Sequence, residues 1–183
     1  MVRRVLIGNL PNLITLGRLG LTPIAIAMIV STRYVEAFIV FLVAGASDAV
    51  DGFIAKRFGL TSELGAYLDP LADKALLISI YVSLAIVGEI WSSLAIAVVS
   101  RDIMIVAGVM VAWLMSKPVE IRPVWTSKLN TAAQIAFAAA VLGARAFNLH
   151  YDLFLEAFSV FVVATTIASA FIYMAQWLNH MTR

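Results

Sequence analysis

The sequence has no cysteine and little charge. Only 13% of its 183 residues are charged, against about 25% in an average soluble domain. The absence of cysteine excludes disulfides, thiolate metal sites and cysteine nucleophiles. Because 62% of the residues are hydrophobic, an ordinary soluble domain is excluded, and so is intrinsic disorder, which requires low hydrophobicity. The net charge of +2 is too small to indicate a nucleic-acid partner.

The hydrophobic residues form six long segments with short polar breaks between them. We place the segments at about residues 12–31, 35–57, 66–87, 90–115, 126–147 and 152–177. Each has roughly the 20 residues that a helix needs to cross a bilayer. The pattern predicts an all-α fold, a single domain over residues 1–183 that forms a polytopic integral membrane bundle of six transmembrane helices. Residues 2–10 are expected to form a short interfacial helix that leads into a retained first span.

Basic loop residues predict the orientation of the bundle. With six spans both termini share a side, and the basic residues on that side are Arg3, Arg4, Lys56, Arg57, Lys117, Arg122, Lys128 and Arg183. The other side has Arg33 and Arg145. The positive-inside rule therefore puts both termini in the cytoplasm, in a bacterial inner membrane or an equivalent membrane. We expect Arg33, Glu89, Arg145 and Glu156 to be interfacial and solvated.

Four aspartates lie where two of the predicted helices meet. Asp48 and Asp51 are near the end of the second segment, and Asp69 and Asp73 are near the start of the third. Spacings of three and four put each pair on one helix face. A short turn joins the two helices, so the four carboxylates are predicted to converge.

Crowded carboxylates at the edge of a bilayer either take up protons or bind cations. All the candidate ligands are hard oxygens, which favour Mg²⁺, Mn²⁺ or Ca²⁺ over zinc. Four carboxylates are enough for two metal ions that act on a phosphoryl centre. The competing hypothesis is a cation transporter built on buried aspartates. It would need polar groups through both leaflets, whereas these acids cluster at one side.

The aspartates and nearby small residues form one spaced pattern. It reads Asp48-Ala-Val-Asp51-Gly52-Phe-Ile-Ala55-Lys56, then after eight residues Gly65, and then Asp69 and Asp73. This pattern resembles the signature of the CDP-alcohol phosphatidyltransferase family, D-x2-D-G-x2-A-R-x8-G-x3-D-x3-D. One position departs, because Lys56 stands where the family has arginine, with Arg57 beside it. Either Lys56 contacts a phosphate as a point charge or Arg57 replaces it.

The resemblance implies a homodimer of six-helix subunits whose active site faces the cytoplasm. The implied reaction transfers a phosphatidyl group from CDP-diacylglycerol to an alcohol and releases CMP, with Mg²⁺ or Mn²⁺, two ions in number, as the cofactor. The metal ligands implied are Asp48, Asp51, Asp69 and Asp73, with Asp73 alternatively the catalytic base. The residues implied to bind CDP-diacylglycerol are Asp48, Gly52, Ala55, Lys56 and Gly65. The small residues among them are alternatively explained by close helix packing.

Segments outside the signature indicate the acceptor. Asn9-Leu-Pro11-Asn12, with Arg18 downstream, resembles the opening of the branch that contains phosphatidylglycerophosphate synthases and cardiolipin synthases. Ser100-Arg101-Asp102 and the segment 126–131 are more similar to eukaryotic-type cardiolipin synthases. The resemblance therefore implies phosphatidylglycerol as acceptor and cardiolipin as product. The alternative acceptor is glycerol-3-phosphate.

A charged pair in the middle of the fourth span needs a cavity or partners. We predict that Arg101 holds the phosphate of the acceptor and that Asp102 orients Arg101. The alternative is an interhelical ion pair that only fixes the packing of the bundle. Lys128 is predicted either to bind the same phosphate or to extend to the interface. Arg18 is predicted to reach the same acceptor cavity.

Overall fold

The computed structural model describes the backbone of residues 2–58, 63–115 and 125–181. It describes the side chains of residues 15–48, 50, 72–108, 110–111, 114–115 and 125–180. The described chain forms six α-helices, which confirms the all-helical prediction. They are α1 (Val2–Val30), α2 (Tyr34–Phe58), α3 (Glu63–Ile86), α4 (Ser92–Leu114), α5 (Trp125–Ala146) and α6 (Asp152–Met181).

The N-terminal part of the chain differs from the prediction. We expected a separate short interfacial helix at residues 2–10, but α1 continues without interruption from Val2 to Val30. The prediction took Pro11 and Asn12 as a break. Proline is tolerated within helices of apolar bundles, so Pro11 does not by itself end a helix.

The six helices pack as a closed ring. In ring order they are α1, α2, α5, α6, α4 and α3, and α3 in turn packs against α1. A smaller contact between α3 and α5 crosses the ring. The interior is filled by side chains such as Tyr81, Phe137 and Leu94, and the Phe137 ring meets the Phe158 ring edge-on at 5.4 Å. Because α6 lies between α5 and α4, residues of the last helix face those of the fourth.

The turns after α1, α3 and α5 share one design. Each contains a residue in the left-handed region: Thr32 (φ 56°), Gly88 (φ 81°) and Asn148 (φ 53°). The amide of the next residue returns to a carbonyl five residues earlier, as in the 2.9 Å bond from Glu89 N to Leu84 O. This is the Schellman arrangement, which satisfies the last carbonyls of a helix.

An ion pair ties these three turns together. Tyr34 donates a 2.7 Å hydrogen bond to Oε1 of Glu89, and Arg145 Nε donates to Oε2 of the same carboxylate. The Glu89 side chain is only 17% exposed. The expectation that Glu89 is solvated is therefore wrong, whereas the Arg145 side chain is paired but still 37% exposed. The sequence alone does not show that the turn after α3 folds against the end of α5.

The outside of the ring is apolar. Large hydrophobic side chains are exposed on every helix, for example Leu16, Leu42, Ile86, Ile103, Ile135 and Phe171. Among the described residues, one segment, Asp152–His180, is long and apolar enough by itself to cross a membrane. A shorter apolar stretch covers Thr15–Val30. An exterior of this kind marks a surface that contacts lipid or protein.

Candidate active site

An acidic cluster lies where α1, α2 and α3 meet. Arg18 of α1 is almost fully buried, with 1% of its surface exposed. Its Nη1 atom lies 2.9 Å from Oδ1 of Asp48 on α2 and also donates a hydrogen bond to Oδ1 of Asp73 on α3. One guanidinium nitrogen thus holds carboxylates from two helices, which is possible because α1 packs against both.

The other predicted members of this cluster lie on the same two helices. Asp51 follows Asp48 by three residues on α2, and Asp69 precedes Asp73 by four on α3. The side chains of six predicted site residues fall outside the described set, namely Asp51, Gly52, Ala55, Lys56, Gly65 and Asp69. Their roles stay predictions.

The described carboxylates fit a hard divalent cation. Within the described side chains no group of three metal-binding residues is found. However, Asp48 and Asp73 both direct an oxygen at the same nitrogen atom of Arg18, so one small cationic centre is within reach of both. Carboxylate oxygens are the ligands that Mg²⁺ and Mn²⁺ prefer.

A second cluster of charges follows directly along α3. Lys74, the residue after Asp73, places its Nζ atom 2.8 Å from Oδ2 of Asp102 on α4. The other oxygen of Asp102 lies 2.6 Å from Nη1 of Arg101. Arg101 and Asp102 are both buried, with 4% and 3% exposed. Lys74, Asp102 and Arg101 together carry a net charge of +1, from two cations and one anion, and we call them the cationic cluster.

Arg101 is held in place from two further helices. Its Nη2 atom donates to Ser127 Oγ of α5 at 2.6 Å and to Ser169 Oγ of α6 at 2.8 Å. Its guanidinium carbon lies 5.5 Å from the centre of the Tyr173 ring, a cation–π distance. Together these contacts hold the Arg101 guanidinium in one orientation. The contacts to α5 and α6 make Arg101 part of an interhelical network as well as a candidate phosphate ligand.

Sequence reasoning missed Ser169 and Tyr173. They lie four residues apart on α6, so they share a helix face. That spacing of polar groups in an apolar helix was the available signal, but it does not show which helix they meet. The bond from Lys74 to Asp102 was not predicted either, and it follows from the packing of α3 against α4.

Two predicted acceptor residues have partners outside the cationic cluster. Arg18 belongs to the acidic cluster, where it bonds Asp48 and Asp73. Lys128 is exposed, and its Nζ atom lies 5.7 Å from the centre of the Trp125 ring. The structure thus brings Arg101 and Asp102 together and shows neither Arg18 nor Lys128 bonded to them among the contacts it describes. Roles for Arg18 and Lys128 in acceptor binding stay predictions.

The chain matches one family model and is similar to several known proteins. A family model described as CDP-alcohol phosphatidyltransferase matches residues 8–178. The human protein named cardiolipin synthase (CMP-forming) is 35% identical over 181 residues, covering 90% of this chain and 60% of the human protein. In Pseudomonas fluorescens, the protein named CDP-diacylglycerol–glycerol-3-phosphate 3-phosphatidyltransferase is 32% identical over 150 residues, or 76% of this chain and 75% of the relative.

A chloroplastic relative from rice carries the name CDP-diacylglycerol–glycerol-3-phosphate 3-phosphatidyltransferase 1. It is 33% identical over 179 residues, covering 88% of this chain and 54% of the relative. The chain therefore spans less than two thirds of the length of the human and rice relatives.

Proposed function

The chain belongs to the CDP-alcohol phosphatidyltransferase family, and we propose that it transfers a phosphatidyl group from CDP-diacylglycerol to phosphatidylglycerol, giving cardiolipin and CMP. The observation that carries this proposal is the pair of adjoining clusters of opposite charge. Asp73 and Lys74 are consecutive residues of α3, so a centre for cations and a centre for an anion lie side by side. The reaction needs both.

In the proposed reaction the acidic cluster serves the donor and the hydroxyl proton, and the cationic cluster binds the phosphate of the acceptor. The acceptor hydroxyl attacks the phosphorus next to diacylglycerol, a new oxygen–phosphorus bond forms, and the bond to CMP breaks. The hydroxyl proton passes to a carboxylate, for which Asp73 is the candidate, and CMP leaves with the electron pair. Asp73 is alternatively a metal ligand only. Arg18 holds Asp48 and Asp73 in position on their two helices.

The family uses divalent metal ions, and the acidic cluster is where we propose they bind. Asp48, Asp51, Asp69 and Asp73 would hold Mg²⁺ or Mn²⁺, two ions in number. Such ions neutralise charge on the pyrophosphate. Gly52, Ala55, Lys56 and Gly65 are proposed to bind the CDP moiety of the donor.

The charge of the cationic cluster favours phosphatidylglycerol as acceptor. Its net charge of +1 matches the single negative charge of a phosphodiester, whereas glycerol-3-phosphate carries a dianionic phosphate. We assign Arg101 to the phosphate of the acceptor and Asp102 to the orientation of Arg101. The name of the human relative, cardiolipin synthase (CMP-forming), supports cardiolipin as the product. Glycerol-3-phosphate is the second candidate, because the Pseudomonas and rice relatives are named for it.

One experiment separates these functions. Purified protein receives CDP-diacylglycerol and Mg²⁺ or Mn²⁺ with one acceptor at a time, and CMP and the lipid product are identified by mass. We expect cardiolipin from phosphatidylglycerol. Phosphatidylglycerophosphate as the sole product would identify the second function, and no CMP with any acceptor would exclude the enzyme and favour a transporter.

We further propose that all six helices span the membrane, that both termini face the cytoplasm and that the protein is a homodimer. The helices have 22 to 30 residues, enough at about 1.5 Å per residue to cross a hydrocarbon core.

Because the chain has no cysteine, single introduced cysteines report accessibility without background. S31C and Y151C should react with an impermeant reagent from outside, and S116C only after the membrane is opened. Cross-linking tests the dimer.

A further inference from the structure

A hydrogen-bonded chain of buried polar side chains connects α5 and α6. Gln134 Nε2 donates to Thr166 Oγ1 at 3.3 Å, and Thr166 Oγ1 donates to Oδ1 of Asn130 at 2.9 Å. Thr165 Oγ1 also lies 3.0 Å from the same oxygen. In this arrangement the oxygen of the Asn130 amide faces the hydroxyls of α6. Its Nδ2 atom therefore lies on the opposite side of the amide group.

Two buried polar atoms next to this chain have no hydrogen-bond partner in the described part of the protein. They are Nδ2 of Asn130, whose residue is completely buried, and Oγ1 of Thr126. The two residues are four apart on α5, so they share a helix face. Buried polar groups are almost always hydrogen-bonded, because an unpaired one is unfavourable. A donor and a hydroxyl left open at neighbouring positions indicate a polar ligand between them.

Thr126 and Asn130 lie near Ser127 along α5, and Ser127 is a partner of Arg101. Ser127, which accepts the bond from Arg101, is adjacent to Thr126 and three residues before Asn130. On α6 the same step separates Thr166, which bonds Asn130, from Ser169, which bonds Arg101. A ligand whose phosphate contacts Arg101 can therefore place a hydroxyl near Asn130 if the two groups are separated by about 5 Å, the rise of one helical turn.

We infer that Asn130 and Thr126 form a subsite that binds the non-reacting hydroxyl of the acceptor's glycerol headgroup, beside the phosphate held by Arg101. The inference rests on the proposed function, since it assumes an acceptor that carries both groups. The Asn130 amide donates to the hydroxyl oxygen, and Thr126 accepts the hydroxyl hydrogen. The secondary hydroxyl of phosphatidylglycerol lies between its phosphate and its reacting terminal hydroxyl, so this subsite also orients the reacting group.

Two acceptors that differ in that one hydroxyl test the subsite. Phosphatidylglycerol has it, and phosphatidyl-1,3-propanediol keeps the reacting terminal hydroxyl but lacks the secondary one. We expect wild-type protein to prefer phosphatidylglycerol in kcat/KM. N130A should lower kcat/KM for phosphatidylglycerol roughly three- to tenfold, the effect of one hydrogen bond, and change that for the propanediol lipid little. The KM for CDP-diacylglycerol should stay the same.

Thr165→Val is the matched control. It removes the contact of Thr165 with Asn130, but the bond from Thr166 still holds the amide, so the preference for phosphatidylglycerol should persist. T126V, which keeps the shape of the side chain, should reduce the preference for phosphatidylglycerol in the same direction as N130A. It therefore tests the subsite even if N130A does not fold.

The outcomes that contradict the subsite are specific. Equal turnover of the two lipids by wild-type protein, or an equal loss with both in N130A and T126V, would assign Asn130 a packing role and overturn the inference alone. If glycerol-3-phosphate proves to be the acceptor, the same comparison is made with 3-hydroxypropyl phosphate, which lacks the secondary hydroxyl. No product from any acceptor would overturn the proposed function and the subsite with it.

Discussion

Lys74 on α3 and Asp102 on α4 form a 2.8 Å ion pair that places the cationic cluster directly beside the acidic one. Asp102 also bonds Arg101, so one carboxylate balances two cations. The two clusters adjoin but keep their own ion pairs. The carboxylates of the acidic cluster bond Arg18, whereas Asp102 bonds Lys74 and Arg101. The proposed donor and acceptor phosphates would meet at this boundary.

Replacing Asp102 by asparagine should change the choice of acceptor. In D102N the net charge of the cationic cluster rises from +1 to +2, which suits a dianionic phosphate better than a diester. We expect kcat/KM for phosphatidylglycerol to fall at least about tenfold, the effect of losing a bond between charged groups. The ratio of phosphatidylglycerophosphate to cardiolipin in a mixed-acceptor assay should rise. E156Q, at an exposed position of α6, is the control, and an unchanged product ratio in D102N would contradict this account.

Arg18 should matter most when divalent cations are absent. R18Q removes the guanidinium that lies between Asp48 and Asp73 and leaves the two carboxylates facing each other. Breaking a buried ion pair costs about 3–5 kcal/mol, but these carboxylates are nearly half exposed, so we expect about 1–2 kcal/mol.

Thermal unfolding in detergent, with EDTA or with Mg²⁺, measures this effect. Mg²⁺ should raise the Tm of R18Q more than that of the wild type, because the metal supplies the missing positive charge. R33Q, which removes only the exposed pair with Glu36, should behave like the wild type. The same Mg²⁺ response in R18Q and wild type would show that Arg18 and the metal do not share the site.

The sequence predicted the helices better than the contacts between them. The six apolar segments agree with α1 to α6 to within a few residues at most ends, because charged, glycine and proline residues bound them clearly. The convergence of Asp48 with Asp73 also followed from spacing and a short turn. The partners of Arg101 did not, since Ser169 and Tyr173 meet it only because α6 inserts between α5 and α4 in the ring. The pairing of Glu89 with Arg145 was missed because it depends on the turn after α3 folding against the end of α5.

The signature aspartates should be required for turnover but not for folding. D48N, D51N and D69N each remove one unit of ligand charge and also relieve repulsion among the carboxylates. We therefore expect activity to fall by orders of magnitude, about 10²-fold or more, in all three variants. The Tm in EDTA should stay the same or rise in D51N and D69N. It should fall in D48N, which loses the ion pair with the buried Arg18. The measurement is CMP release over a range of Mg²⁺ concentrations, with D152N at the far end of α6 as control. Near-normal turnover at limiting Mg²⁺ would show that the replaced residue is not a ligand.

The contacts of α6 with Arg101 should affect acceptor binding selectively. Ser169 Oγ accepts bonds from both Nε and Nη2 of Arg101, so S169A leaves two donors of a buried cation unsatisfied and frees the guanidinium to turn. We expect kcat/KM for phosphatidylglycerol to fall roughly tenfold, from an increased acceptor KM, with an unchanged KM for CDP-diacylglycerol. S169T restores the hydroxyl and should recover most of the loss. Y173F keeps the ring beneath the guanidinium and should be nearly neutral, whereas Y173L, which removes it, should lose several-fold. An equal loss with both substrates in S169A, without recovery in S169T, would show that α6 acts only through the packing of the bundle.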